Sequence, residues 1–334
     1  MIAGVGGASL GTEIAKALRL GGRFRVSGCD ISRTAYGLHS GDFDQTRHVD
    51  RTRYVAGVID ACHSCGARWL IPGGEEPMVL LSAARDELMA AGIDLVGNLP
   101  AVVDLLSDKQ RTFDALDRFG IAIPKTAPAD SDESIKSVGF PCVVKPATGS
   151  GGSASVFLAT DRDEAAIYAR YIRSNGYPPV AQEYLDAQEG EFTVGVLSLP
   201  DAHVAGSIAL RRSLDAKLSV AYRGRGGVIS SGYSQGFIDE FPEICQTAEN
   251  IAAAIGSCGP INVQGRVRGG RLIPFEINPR FSASTYLRAL AGFNEVDLLL
   301  GFLATGVIPA RGPIRPGWYL RSLSEMYVPP EALA

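Results

Sequence analysis

Short apolar runs alternate with helical patterns along the first hundred residues, and this alternation limits the possible folds more than any other feature. The apolar runs have the length and composition of strands, and they lie at residues 2–5, 24–29, 67–71 and 93–96. Helical patterns separate them, most clearly at residues 9–20 and 76–90. Strands joined through crossover helices pair in parallel. We therefore expect an N-terminal α/β domain built on a doubly wound parallel sheet.

The first strand-to-helix turn contains Gly4, Gly6 and Gly7, and Asp30 follows the second strand. Glycines and a carboxylate in this order are typical of a dinucleotide-binding site. The third glycine of that motif is displaced to Gly11, however, and a tight turn alone would explain the glycines. We expect this domain to be architectural and to bind no NAD, with an NAD-dependent oxidoreductase as the least favoured function.

Composition indicates a soluble globular protein of about two or three packed units. The chain has 334 residues, of which 46% are hydrophobic and 20% charged, and its formal net charge is −4. Because no long basic run is present, we expect no nucleic-acid partner. The most apolar C-terminal run, residues 298–310, is shorter than the ~18 residues of a membrane span, and no signal peptide is evident. A cytoplasmic protein without membrane contact is expected.

The stretch from Ile273 to Phe281 is an apolar, strand-like run that carries a carboxylate, a carboxamide and a guanidinium at alternating positions. Residues two apart share one face of a strand, so Glu276, Asn278 and Arg280 are predicted to project into one site. Carboxylate and amide oxygens suit a divalent cation, and the guanidinium suits a phosphate. The stretch favours metal–phosphate chemistry.

A second strand pattern at residues 261–267 precedes the turn sequence of residues 268–271, which has hairpin chemistry. Pairing the two strands sets Gln264 beside Glu276, so Gln264 is a candidate third oxygen ligand for the metal.

Upstream, an apolar strand pattern at residues 140–146 contains Lys145 near its end, and a glycine- and serine-rich segment follows. Glycine lets a backbone approach phosphate closely and donate its amides. We predict that Gly149, Ser150, Gly151, Gly152 and Ser153 cover bound phosphates. Another strand, residues 180–185, offers a backbone edge to adenine, and we expect Glu191 to hold a ribose, with Glu189 as the alternative.

In this order and spacing the segments resemble the ATP-grasp family, particularly the carbamoyl-phosphate-synthase-like branch. The resemblance implies a mixed α/β and α+β fold: a Rossmann-like preATP-grasp domain (residues 1–107) followed by a two-lobed ATP-grasp domain (108–307). The small lobe would span about 120–187 and the large lobe about 188–307. A proline-rich extension, residues 308–334, would wrap over the body.

The resemblance also implies individual roles. Lys109 and Lys145 would contact ATP phosphates, and Arg280 would stabilise the transferred phosphoryl group. Glu183, Tyr184 and Leu185 would meet the adenine edge. Gln264, Glu276 and Asn278 would ligate one or two Mg or Mn ions, and two are expected.

The reaction that the resemblance implies is an ATP-dependent carboxylate–amine or carboxylate–ammonia ligation through an acyl phosphate. The partners would be a small carboxylic acid and an amine, and a homodimer stays open. Basic residues beside flexible glycines are candidates for the acceptor pocket, together with one serine and one later arginine: Arg211, Arg223, Arg225, Ser231 and Arg288. A non-catalytic nucleotide-binding subunit is the main alternative.

Overall fold

The computed structural model describes residues 1–149 and 155–333. The first strands are β1 (Ile2–Ala3), β2 (Ser27–Asp30), β3 (Gln45–His48), β4 (Trp69–Pro72) and β5 (Asp94–Leu95). They form a parallel sheet in the order β3-β2-β1-β4-β5. The helices between and beside them are α1 (Leu10–Gly21), α2 (Tyr36–His39), α3 (Tyr54–Cys65), α4 (Glu75–Ala83) and α5 (Arg85–Ala90). The predicted doubly wound sheet is confirmed.

Backbone geometry explains two glycines of this region, Gly4 and Gly11. A Cβ on Gly11 would lie 2.0 Å from the carbonyl oxygen of Gly4, and Gly4 itself has a φ of +94°. The Asp30 carboxylate accepts hydrogen bonds from the amides of Val5, at 2.7 Å, and Ser32, at 2.9 Å. Asp30 therefore ties the ends of β1 and β2 together.

Two helices, α6 (Pro100–Leu106) and α7 (Lys109–Arg118), lead from this sheet to the next one. Asp108 caps α7, because its carboxylate accepts from the Arg111 amide at 3.0 Å. The second sheet is antiparallel, with strands β6 (Thr126–Pro128), β7 (Cys142–Pro146), β8 (Phe157–Ala159) and β9 (Pro179–Glu183) in the order β6-β9-β7-β8. Helices α8 (Asp132–Val138) and α9 (Arg162–Ser174) pack against it.

The largest sheet has six antiparallel strands. In chain order they are β10 (Glu191–Ser198), β11 (Val204–Arg212), β14 (Gly236–Asp239), β15 (Pro260–Arg268), β16 (Arg271–Asn278) and β17 (Gly317–Tyr319). Their order in the sheet is β16-β15-β10-β11-β14-β17. A separate hairpin consists of β12 (Val220–Gly224) and β13 (Gly227–Ser230), and α10 (Pro242–Ala254) packs on the large sheet.

The N-terminal sheet and the largest sheet share one hydrophobic core. It includes Ile14 and Leu18 of α1 together with side chains from α11 (Thr285–Leu290), α12 (Glu295–Thr305) and the loop between them, among them Phe293 and Leu299. Burial of each such side chain contributes about 1.5–3 kcal/mol. The two parts of the chain are therefore packed into one body.

The proline-rich extension does more than wrap over the surface. Its strand β17 pairs with β14 and so becomes the edge of the largest sheet. Beyond the strand, the Arg321 guanidinium reaches Glu13 of α1 at 3.0 Å. Within the described parts of the chain, no helix has the length and apolarity needed to cross a membrane.

Candidate nucleotide and metal site

The hairpin of β15 and β16 carries the centre of the site. Gln264 lies opposite Glu276 in register, and its side-chain amide donates to the Glu276 carboxylate at 2.9 Å. Asn278 ends β16, and Arg280 follows two residues later, with Nη2 3.4 Å from the Asn278 side-chain oxygen. The structure thus brings together the four side chains that the sequence assigned to metal and phosphate.

A β-bulge shapes this hairpin. Gln264 pairs with Glu276, but the next residue, Gly265, pairs with Pro274, so Phe275 is left as the extra residue. The Phe275 carbonyl turns toward β7 and accepts from Lys145 Nζ at 3.0 Å. A Cβ on Gly265 would lie 2.7 Å from the Ile273 carbonyl oxygen. Close approach at the bulge therefore requires glycine.

Lys145 is the buried cation of the site. Its Nζ donates to the Gln182 side chain at 2.7 Å as well as to the Phe275 carbonyl. The pKa of Lys145 is lowered to about 7, chiefly by burial and also by the nearby Lys109 ammonium, while Glu276 partly offsets both effects. The two lysines therefore lie close enough to repel one another, as a pair that shares an anionic ligand would.

These groups line a cavity between β7, β9 and the hairpin of β15 and β16. Its polar lining includes both lysines, Gln264 and Glu276, and its apolar walls come from Val143, Val156, Ile229 and Phe275. Glu183, Tyr184 and Leu185 form another wall. An apolar slot with a cationic, oxygen-lined end is suited to a flat base joined to phosphates.

Two backbone amides of this wall already donate hydrogen bonds to carbonyls of the protein. The Glu183 amide donates to the Lys125 carbonyl at 2.8 Å, and the Tyr184 amide to the Pro141 carbonyl at 3.3 Å. The Glu183 carboxylate accepts from the Lys125 amide and forms an ion pair with Arg268 at 2.6 Å. Tyr184 packs under the Arg266 guanidinium, which lies 4.9 Å from the ring centroid.

The prediction for the ribose carboxylate needs correction. Glu191 has a fully buried side chain that pairs with Arg266 at 2.8 Å and Arg212 at 3.4 Å. Glu189 lies at the surface, where it accepts from the amides of Gly269 and Gly270 at the hairpin tip. Among the described residues, neither glutamate lines the cavity. The Glu191 carboxylate is paired with arginines, and the Glu189 carboxylate accepts from backbone amides.

Gln182 and Arg266 are polar cavity residues that the sequence reasoning missed. Gln182 accepts the hydrogen bond from Lys145, and Arg266 lies on β15, two positions after Gln264. The alternation of Asn262, Gln264 and Arg266 mirrors that of Glu276 and Asn278, so the same periodicity could have identified Arg266. Ser150, Gly151, Gly152 and Ser153 lie outside the described residues; Gly149 precedes them with a φ of +70°.

A second cavity, of about 340 Å³, adjoins the first and shares Gln264 and Glu276 with it. One side consists of the start of α1 and the turn after β4. The other side includes Arg280, Ser231, Asn262, Thr193 and the segment Ser282–Ser284. Ser231 was predicted here. The Arg212 guanidinium holds the adjoining loop by donating to the Ser231 carbonyl at 2.8 Å and the Tyr233 carbonyl at 2.9 Å.

The four arginines proposed for this pocket lie elsewhere. Arg211, Arg223 and Arg225 are exposed. Alternation along β11 turns Arg212 inward instead of Arg211, and β12 and the turn after it are exposed, whereas β13 is mostly buried. Arg288 is fully buried beneath the cavity. Its guanidinium pairs with Glu295 at 3.1 Å and donates to the side chains of Asn262, at 2.7 Å, and Thr193, at 3.0 Å.

The chain is similar to known proteins in sequence and in fold. A family model described as an ATP-grasp domain matches residues 106–284. The carbamoyl phosphate synthase large chain of Vibrio vulnificus is 26% identical over 215 residues, which cover 62% of this chain and 19% of that protein. The chain thus spans about a fifth of the length of this curated relative.

Solved structures are similar over nearly the whole chain. Biotin carboxylase from Campylobacter jejuni has a TM-score of 0.68 at 14% identity and covers 92% of this chain and 71% of its own. The L-amino acid ligase from Bacillus licheniformis has a TM-score of 0.68 at 17% identity, covering 94% of this chain and 78% of its own. At these identities the likeness shows the fold alone.

Proposed function

Because the chain belongs to the ATP-grasp family, we propose that it is an ATP- and Mg-dependent ligase that joins a carboxylic acid to an amine or ammonia. The observation that carries the proposal is the shared position of Glu276, which lines both the slot suited to a nucleotide and the adjoining cavity of about 340 Å³. A group there can act on the γ-phosphate and on the acceptor together.

The residues fit a divalent cation. Glu276, with a carboxylate, and Asn278, with a carboxamide oxygen, line one small cavity with Lys109. Oxygen donors of this kind suit Mg or Mn. Glu276, Asn278 and Gln264 would hold the metal, which would neutralise phosphate charge and orient the γ-phosphoryl group.

The charges around the site support a polyphosphate ligand. Of the charged residues that line the two cavities, Arg266 and Glu183 are already paired with Glu191 and Arg268. The rest are three cations, Lys109, Lys145 and Arg280, and two carboxylates, Glu276 and Glu75, which leaves a net positive charge. Arg280 would neutralise charge on the transferred phosphoryl group. In phosphoryl transfer, positioning and charge neutralisation supply most of the catalysis, so no nucleophilic side chain is needed.

Two steps follow from this arrangement. A carboxylate oxygen of the acid attacks the γ-phosphorus, the bond to the β,γ-bridging oxygen breaks, and ADP leaves. The amine nitrogen then attacks the acyl carbon, the bond from this carbon to the phosphate oxygen breaks, and phosphate departs with the former carboxylate oxygen while the nitrogen loses a proton. We place the acid beside Arg280 in the second cavity.

ADP release across a panel of carboxylic acids and amines tests the proposal. Release should require Mg, an acid and ATP, and it should rise further with a suitable amine. The variant Glu276→Ala should stay folded and lose at least about a hundredfold in turnover, because a metal ligand is removed. The control Glu189→Ala, at the exposed hairpin tip, should keep wild-type rates. Saturable Mg-ATP binding without turnover on any pair would favour a non-catalytic nucleotide-binding protein.

A further inference from the structure

A third cavity, of about 300 Å³, has no lining residue in common with the two cavities of the proposed active site. One side is the edge of the parallel sheet, at β5 and the loop that follows it. The other side belongs to the part of the molecule that contains the largest sheet, and it consists of Pro200, Cys258 and two leucines of α12. The cavity is therefore a separate space at the junction of the two parts.

Most of its wall is apolar. Leu95, Val96 and Leu299 are buried side chains of this wall, and Leu303 is half-buried beside them. Trp69 adds an aromatic face. Near it, two exposed residues form an ion pair: Arg68 binds Asp94 at 3.0 Å, and the Arg68 guanidinium lies 5.6 Å from the Trp69 ring centroid. An occupant needs an apolar body to match this surface.

Arg85 is the inward-facing cation of the wall. Its Nη2 donates to the carbonyls of Gly97, at 3.2 Å, and Asn98, at 2.9 Å, while its Nε is buried without a partner. Among the described residues, no carboxylate lies within 4.0 Å of this guanidinium. Burial lowers the pKa of Arg85, and Cys258 and the Asp86 carboxylate partly offset that effect. A partly desolvated cation without a counter-charge costs free energy.

The loop that holds Arg85 is itself fixed. The Asn98 side-chain oxygen accepts from the Ser257 hydroxyl at 3.0 Å and the Cys258 amide at 2.9 Å. Its side-chain nitrogen donates to the Pro260 carbonyl at 2.8 Å. Because Asn98 is only 2% exposed, these bonds hold the loop rigidly. The guanidinium is thus positioned before any ligand arrives, which reduces the entropic cost of binding.

We propose that this cavity binds a small organic carboxylate with a flat apolar body. The carboxylate supplies the counter-charge that Arg85 lacks, and the body packs on Trp69 and the leucines. The lining contains two arginines and one aspartate, a formal charge of +1, which matches a monoanion. A phosphate dianion is disfavoured, because a single inward guanidinium and apolar walls would leave half its charge unpaired.

Calorimetric titration with indole-3-acetate and its neutral amide, indole-3-acetamide, tests the site. The acid should bind saturably at one site per chain, and the amide should bind at least about tenfold more weakly, since a charge-assisted hydrogen bond is lost. Equal affinities of acid and amide, or no saturable binding of the acid, would overturn the proposal.

Four variants locate the site. Leu303→Trp fills the cavity and should abolish binding, whereas Val307→Trp, a control with 67% of its side chain exposed and no place in the lining, should not. Arg85→Gln should reduce the affinity for the acid to that for the amide. Arg280→Gln should leave binding unchanged. Binding that survives Leu303→Trp, or that is lost in Arg280→Gln, would place the acid elsewhere and refute the assignment.

Discussion

Among single residues, Lys145 has the charge state that matters most for nucleotide binding. Its pKa, lowered to about 7 by burial and by Lys109, lies below its ordinary value of 10.5. The unfolded chain keeps this proton up to about pH 10.5, so the folded state is the first to lose it as the pH rises. This group therefore opposes folding most below pH 7, and its cost diminishes between about pH 7 and 10.5.

The same titration should affect ATP binding in the opposite direction: stability rises with pH, whereas ATP affinity falls. Phosphates favour the charged lysine, so ATP affinity should fall as the pH rises from about 7 to 9, by up to about tenfold per unit. Lys145→Gln should bind ATP at least about tenfold more weakly, because a contact worth ~1.5–3 kcal/mol is lost, and its affinity should not vary with pH. Calorimetry at several pH values checks both effects. An unchanged pH slope in Lys145→Gln would assign the titration to another group.

The sequence predicted single residues well where strand alternation decides their position. Glu276 and Asn278 share a strand face because residues two apart do, and the turn sequence correctly predicted that β15 pairs with β16, although a bulge is needed to set Gln264 opposite Glu276. Glu191 and Arg288 were misplaced because their burial depends on partners far along the chain, Arg266 and Asn262. Nothing in the local pattern around residue 191 or 288 shows that a distant side chain will cover it.

Among the elements, the bulge in the hairpin of β15 and β16 is the feature that could not be predicted from the sequence. The run Leu272–Ile273–Pro274–Phe275 is uniformly apolar. It therefore predicts a strand but does not show which residue of β15 each of its residues pairs with. The register at the turn would place Gln264 opposite Phe275, so it is the bulge that sets Gln264 opposite Glu276 and sends the Phe275 carbonyl to Lys145. Register of this kind is set by the sheet as a whole.

Gly265→Ala should destabilise the hairpin by about 1–3 kcal/mol, since its Cβ would be forced against the Ile273 carbonyl. Urea unfolding measures this change. Gly41→Ala is the matched control, because a Cβ there meets nothing within 4 Å, and it should change the unfolding free energy by less than about 0.5 kcal/mol. Equal effects of the two substitutions would show that the bulge tolerates a side chain.

The first strand–turn–helix element is predicted to bind no NAD. Its Asp30 carboxylate is engaged by the amides of Val5 and Ser32, and Gly11 serves close packing against Gly4. A fluorescence titration with NADH should give no saturable signal. Saturable binding that Gly6→Val abolishes in a folded protein would restore the oxidoreductase alternative.

For the whole molecule, one buried contact joins the beginning of the chain to its end. Arg321 pairs with Glu13 at 3.0 Å and also donates to the Ser234 and Ala283 carbonyls. Ser234 and Ala283 line the proposed acceptor cavity, so the contact fixes α1 and two lining loops together. The sequence showed only a proline-rich tail here, because an ion pair over this separation leaves no local pattern.

Arg321→Ala should lower the free energy of unfolding by about 3 kcal/mol, the lower end for breaking a buried ion pair, because Lys16 remains beside Glu13 at 3.2 Å. Urea unfolding of the full chain gives the value. Arg51→Ala removes an exposed pair of similar length, at 3.0 Å, and should cost less than about 1 kcal/mol. Similar costs for the two variants would show that the contact does not hold the parts together.

The formation of an acyl phosphate is tested most directly by isotope transfer. The acid that supports the fastest ADP release is labelled with ¹⁸O in its carboxylate and turned over with Mg-ATP and the amine. Phosphorus NMR of the released phosphate should then show one ¹⁸O atom per molecule, because the attacking carboxylate oxygen leaves with phosphorus. Phosphate that carries no label from the acid, while amide product forms, would contradict carboxylate phosphorylation at this site.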